Sequence, residues 1–434
     1  MGRLTTSGRP AVVRDARRFF SLLDEALKLG TEGYSPRRLQ KIEYAEANEG
    51  SFEQGSRALR VLAELPISAK HVQRITERLG EERRRQRDAE VAAMKTGTLK
   101  PTYPNPPQVA AIHLDAGKLQ LREEDGKPGV REPRWADSKV ACFLTYTARE
   151  GNPDPQPNPP AVFLDPPRVM RLCKEMERVR SQPAALARVD EGTATSVDGG
   201  TRTSHRTSGT AGAYGGGDVG AHGAFRLDGL CGSDATRRGF YEALKKADLG
   251  DGGNWIGPLA DLHFPGWTQV LDFLHLLVHL YAAATAAYAE DAKAAWRLYE
   301  RWLRCAWAGE VKPLLASLEE EGRRLGKPPP RAKESDPRRI VSKTLDYIKT
   351  NEPRMDYARY RREGLPITSA AVESLIKQFN QPVKGTEKFW NKGGAESVLQ
   401  IRAAYLSEDD RSDRFHEHRP RGQAVGRNRG KLAA

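Results

Sequence analysis

Residues 109–123 read VAAIHLDAGKLQLRE, and the fold class turns on them. Upstream, from residue 14 to 98, apolar residues recur at helical spacing. At Val109 the period changes to alternation, which predicts a strand. Asp115 closes the run VAAIHLD as if projecting from the middle of a sheet. SKVACFLTYTA (138–148) reads as a partner strand in a mostly antiparallel meander. Helix, then strands, then more helix predicts a mixed α/β (α+β) fold.

Proline-rich stretches flank these strands: PTYPNPPQ (101–108) before them and GNPDPQPNPP (151–160) after. A helix is expected from about Pro167 to Val189. Residues 191–224, dominated by Gly, Ser, Thr and Ala, hold too little apolar surface for a core and read as a disordered insertion. Residues 268–326 read as helix rich in Trp and Leu (Trp296, Trp302, Trp307), broken by KPPPRAKESDPRR and followed by helix to Arg362. The end, from Arg411, is a basic, Gly-rich tail.

Within the N-terminal helical stretch, SFEQGSRALRVLAEL, PIS and AKHVQRITERLG (51–80) have the form of two helices joined by a short turn. Leu59, Leu62 and Leu65 are expected to line one face of the first helix. Val72, Ile75 and Leu79 line the second, with Ser68 as its N-cap. A helix-turn-helix that enters a DNA groove and an ordinary helical hairpin both fit. Arg83, Arg84 and Arg85, in the basic run that extends the second helix, favour DNA.

The chain of 434 residues has a formal net charge of +13 and a pI near 9.5. Clustered cations at that balance favour a polyanionic partner. Cys142, Cys173, Cys231 and Cys305 show no paired spacing, which argues against a zinc ribbon or disulfide framework and fits a reducing cytosol. MGRLTTSGRP has no apolar signal region. The most apolar stretch, 270–289, contains Asp272, His275 and His279 and reads as a buried helix, not a membrane span. No Walker-type loop, GxSxG elbow or CxxC occurs.

Three carboxylates stand where a fold could gather them. Asp115 follows an apolar strand. Asp251 sits in LGDGGNW, where small residues leave space beside it. Glu373 lies early in a helix opened by Thr368 and Ser369, within GLPITSAAVESLIKQFNQPVKGTEKFW (364–390). The intervals are 251 − 115 = 136 and 373 − 251 = 122 residues. Such a triad suits two Mg²⁺ (or Mn²⁺) ions about 4 Å apart, because hard cations prefer oxygen ligands. Asp165 in VFLDPP and Asp198 in TSVDGG are rivals for the first position. Lys377, Lys384, Lys388 and Lys392, interleaved with Phe379, Phe389 and Trp390, read either as phosphate and base contacts or as a solvated face over core aromatics.

LGDGGNWIGPLADLHFPGWTQVLDFLHLLVHL, GLPITSAAVES and GAESVLQIRAAYLS resemble blocks of bacterial insertion-sequence DDE transposases. The resemblance covers residues 235–408 well and 109–148 loosely. It implies an RNase H-like core whose catalytic and metal-holding triad maps onto Asp115, Asp251 and Glu373, with Asp272 and His275 in support. It also implies binding of terminal inverted repeats and target DNA, metal-dependent hydrolysis and strand transfer, and a homodimer or higher assembly. The implied domains are a helical DNA-binding domain (1–100), a first core segment (101–267), a helical insertion (268–362), the glutamate-bearing segment (363–408) and a tail (409–434). The expected location is cytoplasmic, at the nucleoid.

In one respect the chain departs from that pattern. A strand of β-branched residues is expected just before LGDGG, but YEALKKADLGDGG contains no Val or Ile run. Either the strand is supplied differently or the core is damaged. A catalytically decayed, transposase-derived DNA-binding protein is therefore a second reading, and an RNase H-like repair nuclease a third.

Overall fold

Strands Val109–Leu121 (β1), Arg134–Tyr146 (β2), Arg206–Tyr214 (β3), Lys245–Gly250 (β4) and Thr268–Leu271 (β5) form one sheet in the order β3-β2-β1-β4-β5. β2 runs antiparallel to both β1 and β3, whereas β1, β4 and β5 are mutually parallel. β2 thus runs against the other four. The computed structural model describes residues 34–103, 105–122, 134–148, 153–181, 206–214, 221–385, 388, 390–407 and 409–419, with backbone alone at 134–135, 177–181, 206–214, 221–228 and 371–373. The fold is mixed α/β, as the change of period at Val109 predicts.

The first half of β1, Val109 to Leu114, is buried on both faces, which is why it reads as a nearly continuous apolar run. β4 is built without any β-branched residue, from Lys-Lys-Ala-Asp-Leu-Gly. The expectation of a missing strand before Asp251 is therefore corrected. β4 forms because it is clamped between two parallel partners, and that pairing overrides weak intrinsic propensity. Its small residues answer to packing: a Cβ on Gly250 would lie 2.6 Å from Ile256 Cδ1.

Two further boundaries move. Arg206–Tyr214, inside the segment expected to be disordered, is β3, and Ala221 opens a helix. Residues 191–205 and 215–220 lie outside the described residues. Thr268–Leu271, assigned above to the helical insertion, is β5, so that insertion begins at Phe273.

The chain divides into two units, residues 1–79 with 409–434, and residues 80–408. In the first, helices Pro36–Asn48 (α1), Phe52–Leu62 (α2), the opening turns of Ala69–Lys95 (α3) and a C-terminal helix at Arg411–His418 enclose Leu39, Ile42, Leu59, Val72, Ile75 and Leu79. The α2–turn–α3 arrangement is present, and Ser68 Oγ accepts a 3.4 Å bond from His71 N. Leu62, however, is 84 % exposed. The helix ends there: Glu64 takes φ 55° and the Leu65 amide reaches back to Leu59 O at 3.0 Å, a left-handed C-terminal cap that cuts the expected stripe short.

In the second unit, one sheet face carries Ala110, Ile112, Leu114, Ala141 and Phe143 against Cys231 and Ala235 of Ala221–Arg237 (α5) and Ile256 and Leu259 of Ile256–His263 (α6). Pro166–Ser181 (α4) precedes β3. After β5 come Phe273–Ala287 (α7), Ala292–Ala308 (α8), Val311–Leu325 (α9), Pro337–Asn351 (α10) and Tyr357–Arg362 (α11). Their core is aromatic: Tyr299, Trp302, Trp307, Tyr357 and Tyr360 are fully buried. The second proline-rich stretch packs against it, with Trp307 Nε1 donating to Gln156 O at 2.8 Å and Arg361 bonding Asp154 at 2.5 and 3.0 Å. Ala370–Asn380 (α12) then lies against β1 and β2, and Lys392–Leu406 (α13) against β3.

Candidate active site

The parallel ladder between β1 and β4 runs from Val109 opposite Lys245 to Leu114 opposite Gly250. Its offset is constant at 250 − 114 = 136, the interval that separates Asp115 from Asp251. The two aspartates thus follow the last paired residues of adjacent strands, about 4.8 Å apart in backbone spacing. Both are half-buried. Asp115 Oδ1 accepts from the Ala116 amide at 2.6 Å.

Asp251 opens a turn. Gly252 takes φ +79° and is crowded by Tyr347, Asn351 and Leu271, all near 3 Å from where a Cβ would stand. Asp251 Oδ1 accepts from Gly253 N at 2.9 Å. Tyr347, on α10, donates its hydroxyl to Asp251 O at 2.9 Å, and its ring stacks on His279 with centroids 4.0 Å apart.

Glu373 is the fourth residue of α12; its side chain lies outside the described residues. Residues 373, 376 and 380 fall on one stripe at helical spacing. Ile376 and Asn380 of that stripe meet β1 at Gly117, two residues from Asp115 on the same strand face. The glutamate helix therefore crosses the sheet face that Asp115 shares.

Asp272 ties these parts together. It caps α7 and is 0 % exposed. Its amide donates to Gly250 O at 2.9 Å, beside Asp251. Its Oδ1 accepts from Ser369 N at 2.5 Å, immediately before α12. Its Oδ2 accepts from His275 N at 3.0 Å and meets the His275 ring at 2.5 Å. The neighbouring Phe273 amide donates to Ile367 O at 2.9 Å. Burial pushes the Asp272 carboxyl up, but the His275 ring, the His275 amide and the Ser369 side chain together hold it below its usual range.

The basic residues divide. Lys377 is exposed. Burial pushes the Lys384 ammonium down, and the Asp115 carboxylate partly offsets that, so the two groups sense each other. Burial likewise lowers Lys388, which donates to Pro382 O at 3.0 Å. Arg83 is 7 % exposed, because it continues the buried stripe of Val72, Thr76 and Leu79 on α3; as a surface phosphate contact it is corrected. Arg84 is held by Glu81 at 2.7 Å and Asp88 at 2.9 Å, and Arg85 stays largely exposed near Glu81. Phe379 is core. Trp390 is half-buried, its Nε1 donating to Val383 O at 3.0 Å and its backbone pairing with Gln120 and Arg122. Phe389 lies outside the described residues.

Of the rivals, Asp165 is exposed in the turn that opens α4, and Asp198 lies outside the described residues. Sequence reasoning missed Tyr347, Asn351 and Asn380. The first two act on the Asp251 turn from about a hundred residues away, a separation that carries no local signal. It also missed Asp248 on β4, 2 % exposed, whose carboxyl burial pushes up to about 7.

Among the described residues no group of three or more His, Cys, Asp and Glu gathers as a metal site, and no helix is long and apolar enough to cross a membrane. No protein-family model matches the chain, and no curated protein matches it.

Proposed function

We propose that the chain is a DDE-type transposase that cuts and joins DNA at Asp115, Asp251 and Glu373. The observation that carries this reading is the common offset of 136 residues in the β1–β4 ladder and between the two aspartates. Strand order and direction support an RNase H-like core, in which a single antiparallel strand sits between parallel neighbours. The long helical insertion between β5 and α12 supports a transposase over a repair nuclease.

The residues present fit a divalent cation. Asp115 and Asp251 offer oxygen donors from adjacent strand positions, and the helix bearing Glu373 crosses the same face. Bound there, Mg²⁺ or Mn²⁺ supplies Lewis-acid stabilisation and lowers the pKa of the attacking hydroxyl or water. The protein's own part is positioning. Asp272 fixes the end of β4 and the start of α12 in one hydrogen-bonded unit, holding Asp251 and residue 373 at a set separation. Tyr347 and the left-handed conformation of Gly252 fix the Asp251 turn. Lys377, Arg85 and the net charge of +13 supply sequence-independent attraction for the phosphate backbone.

The existence of β4 removes the motive for the decayed reading. The test is Mg²⁺-dependent strand cleavage of DNA from the ends of the surrounding element, wild type against Asp115→Ala, Asp251→Ala and Glu373→Ala. Wild-type-like cleavage by any variant sinks that residue's assignment.

A further inference from the structure

Helix α1, PRRLQKIEYAEAN, has its charges sorted by sign. Its two carboxylates, Glu43 and Glu46, are 3 % and 5 % exposed, whereas Arg37, Arg38 and Lys41 all face solvent. The inward acids are taken up where they stand. Glu43 meets the His416 ring at 2.5 Å. Burial, with Glu49 adding, pushes the Glu46 carboxyl up to about 8, so it holds its proton at neutral pH. Asp413, on the C-terminal helix that packs against α1, is bonded by Gln40. Among the described residues Arg37, Arg38 and Lys41 have no ion-pair partner.

Helix stability does not account for these cations. Arg37 and Arg38 stand in the first turn, where a cation opposes the helix dipole, and no acid joins them there. Lys41 lies four residues from Arg37 and three from Arg38, which adds like-charge repulsion. In α8, α9 and α10, by contrast, Arg304 meets Glu300, Arg324 meets Glu321 and Lys349 meets Glu319, each at 2.7 Å. Tyr44, 59 % exposed, continues the cationic face one turn on. A polyanion laid across this face relieves the repulsion that α1 otherwise carries.

We propose that the outward face of α1, Arg37, Arg38 and Lys41 with Tyr44 beside them, docks the phosphate backbone of duplex DNA without reading its sequence. This rests on the reading of the chain as an enzyme that acts on DNA. Cations that neutralise phosphates release counterions, and a phenol adds a neutral donor to phosphate. The face belongs to α1 and so lies outside the α2–turn–α3 pair.

The test is binding of the full chain to a mixed-sequence duplex by fluorescence anisotropy over a range of salt, with EDTA present so that cleavage plays no part. Wild type is compared with Arg37→Gln/Arg38→Gln/Lys41→Gln and with Arg304→Gln/Arg324→Gln/Lys349→Gln, which removes the same charge from paired positions. The α1 variant should lower the slope of log K against log salt by about 2–3, and the control by less than about one. It should also melt at or above the wild-type temperature. Equal slopes for the two variants overturn the proposal and leave the reading of the site standing. Wild type that binds no duplex overturns both. Loss of binding to phosphatidylserine vesicles with duplex binding unchanged assigns the face to a membrane and overturns it as well. Should the triple variant fail to fold, Lys41→Gln alone carries the comparison, with an expected slope change of about one.

Discussion

Asp115 and Asp251 stand abreast, one step beyond the last paired residues, Leu114 and Gly250, of the parallel β1–β4 ladder. Because β1 continues to Leu121 while β4 ends at Gly250, one aspartate is held within a strand and the other opens a turn. Replacing Asp251 by Ala should therefore leave the sheet intact. The expected outcome is a loss of Mg²⁺-dependent cleavage of at least about a hundredfold, from the several kcal/mol that metal stabilisation supplies, with an unchanged far-UV spectrum. Circular dichroism beside a nicking assay checks both halves.

Asp272 links the two halves of the site, so its loss should be felt in both stability and activity. Removing one partner from a buried hydrogen-bonded pair costs about 3–5 kcal/mol, and Asp272→Ala should lower stability by that order in urea melts. The sign with pH follows from its depressed carboxyl. The stabilisation is present above the ordinary aspartate range and drains as pH falls through the lower folded value. The gap between wild type and Asp272→Asn should accordingly shrink as pH is lowered below about 4.

Asp248 behaves in the opposite sense. Burial, with Asp261 adding and Arg354 opposing, pushes its carboxyl up from 3.8 to about 7. Between those values the folded chain holds a proton that the unfolded chain has released, so stability falls across that window and levels above it. Asp248→Asn should be near neutral at pH 4 and stabilising at pH 8, by up to about 4 kcal/mol. Equal differences at the two pH values would contradict the assignment.

Gly252→Ala places a Cβ within about 3 Å of Tyr347, Asn351 and Leu271 at φ +79°. A destabilisation of roughly 1–3 kcal/mol is expected from the left-handed backbone alone, together with a loss of cleavage through displacement of Asp251. Thermal melts and single-turnover cleavage on the same preparation measure the two.

The parts of this architecture that were legible in the sequence are those written in local pattern. The switch to alternation at Val109 marked β1 and the centre of the sheet, and Val72, Ile75 and Leu79 are buried as helical spacing requires. β4 was invisible because its residues have no strand propensity; its pairing on both sides makes it a strand. β3 was hidden by Gly- and Ser-rich composition for the same reason. The stripe through Leu62 failed because a left-handed cap at Glu64 ended the helix early, and Arg83 failed because the buried face of α3 runs further than its apolar residues do. The interval of 136 residues carries structural meaning only through the register of the β1–β4 ladder.

The central claim is that Asp115, Asp251 and residue 373 form one divalent-cation site, and Mn²⁺ titration followed by electron paramagnetic resonance tests it most directly. Wild type should bind Mn²⁺ stoichiometrically, and Asp115→Asn, Asp251→Asn and Glu373→Gln should each lose that binding while remaining folded. Binding with wild-type stoichiometry and affinity by any one of the three would contradict the account.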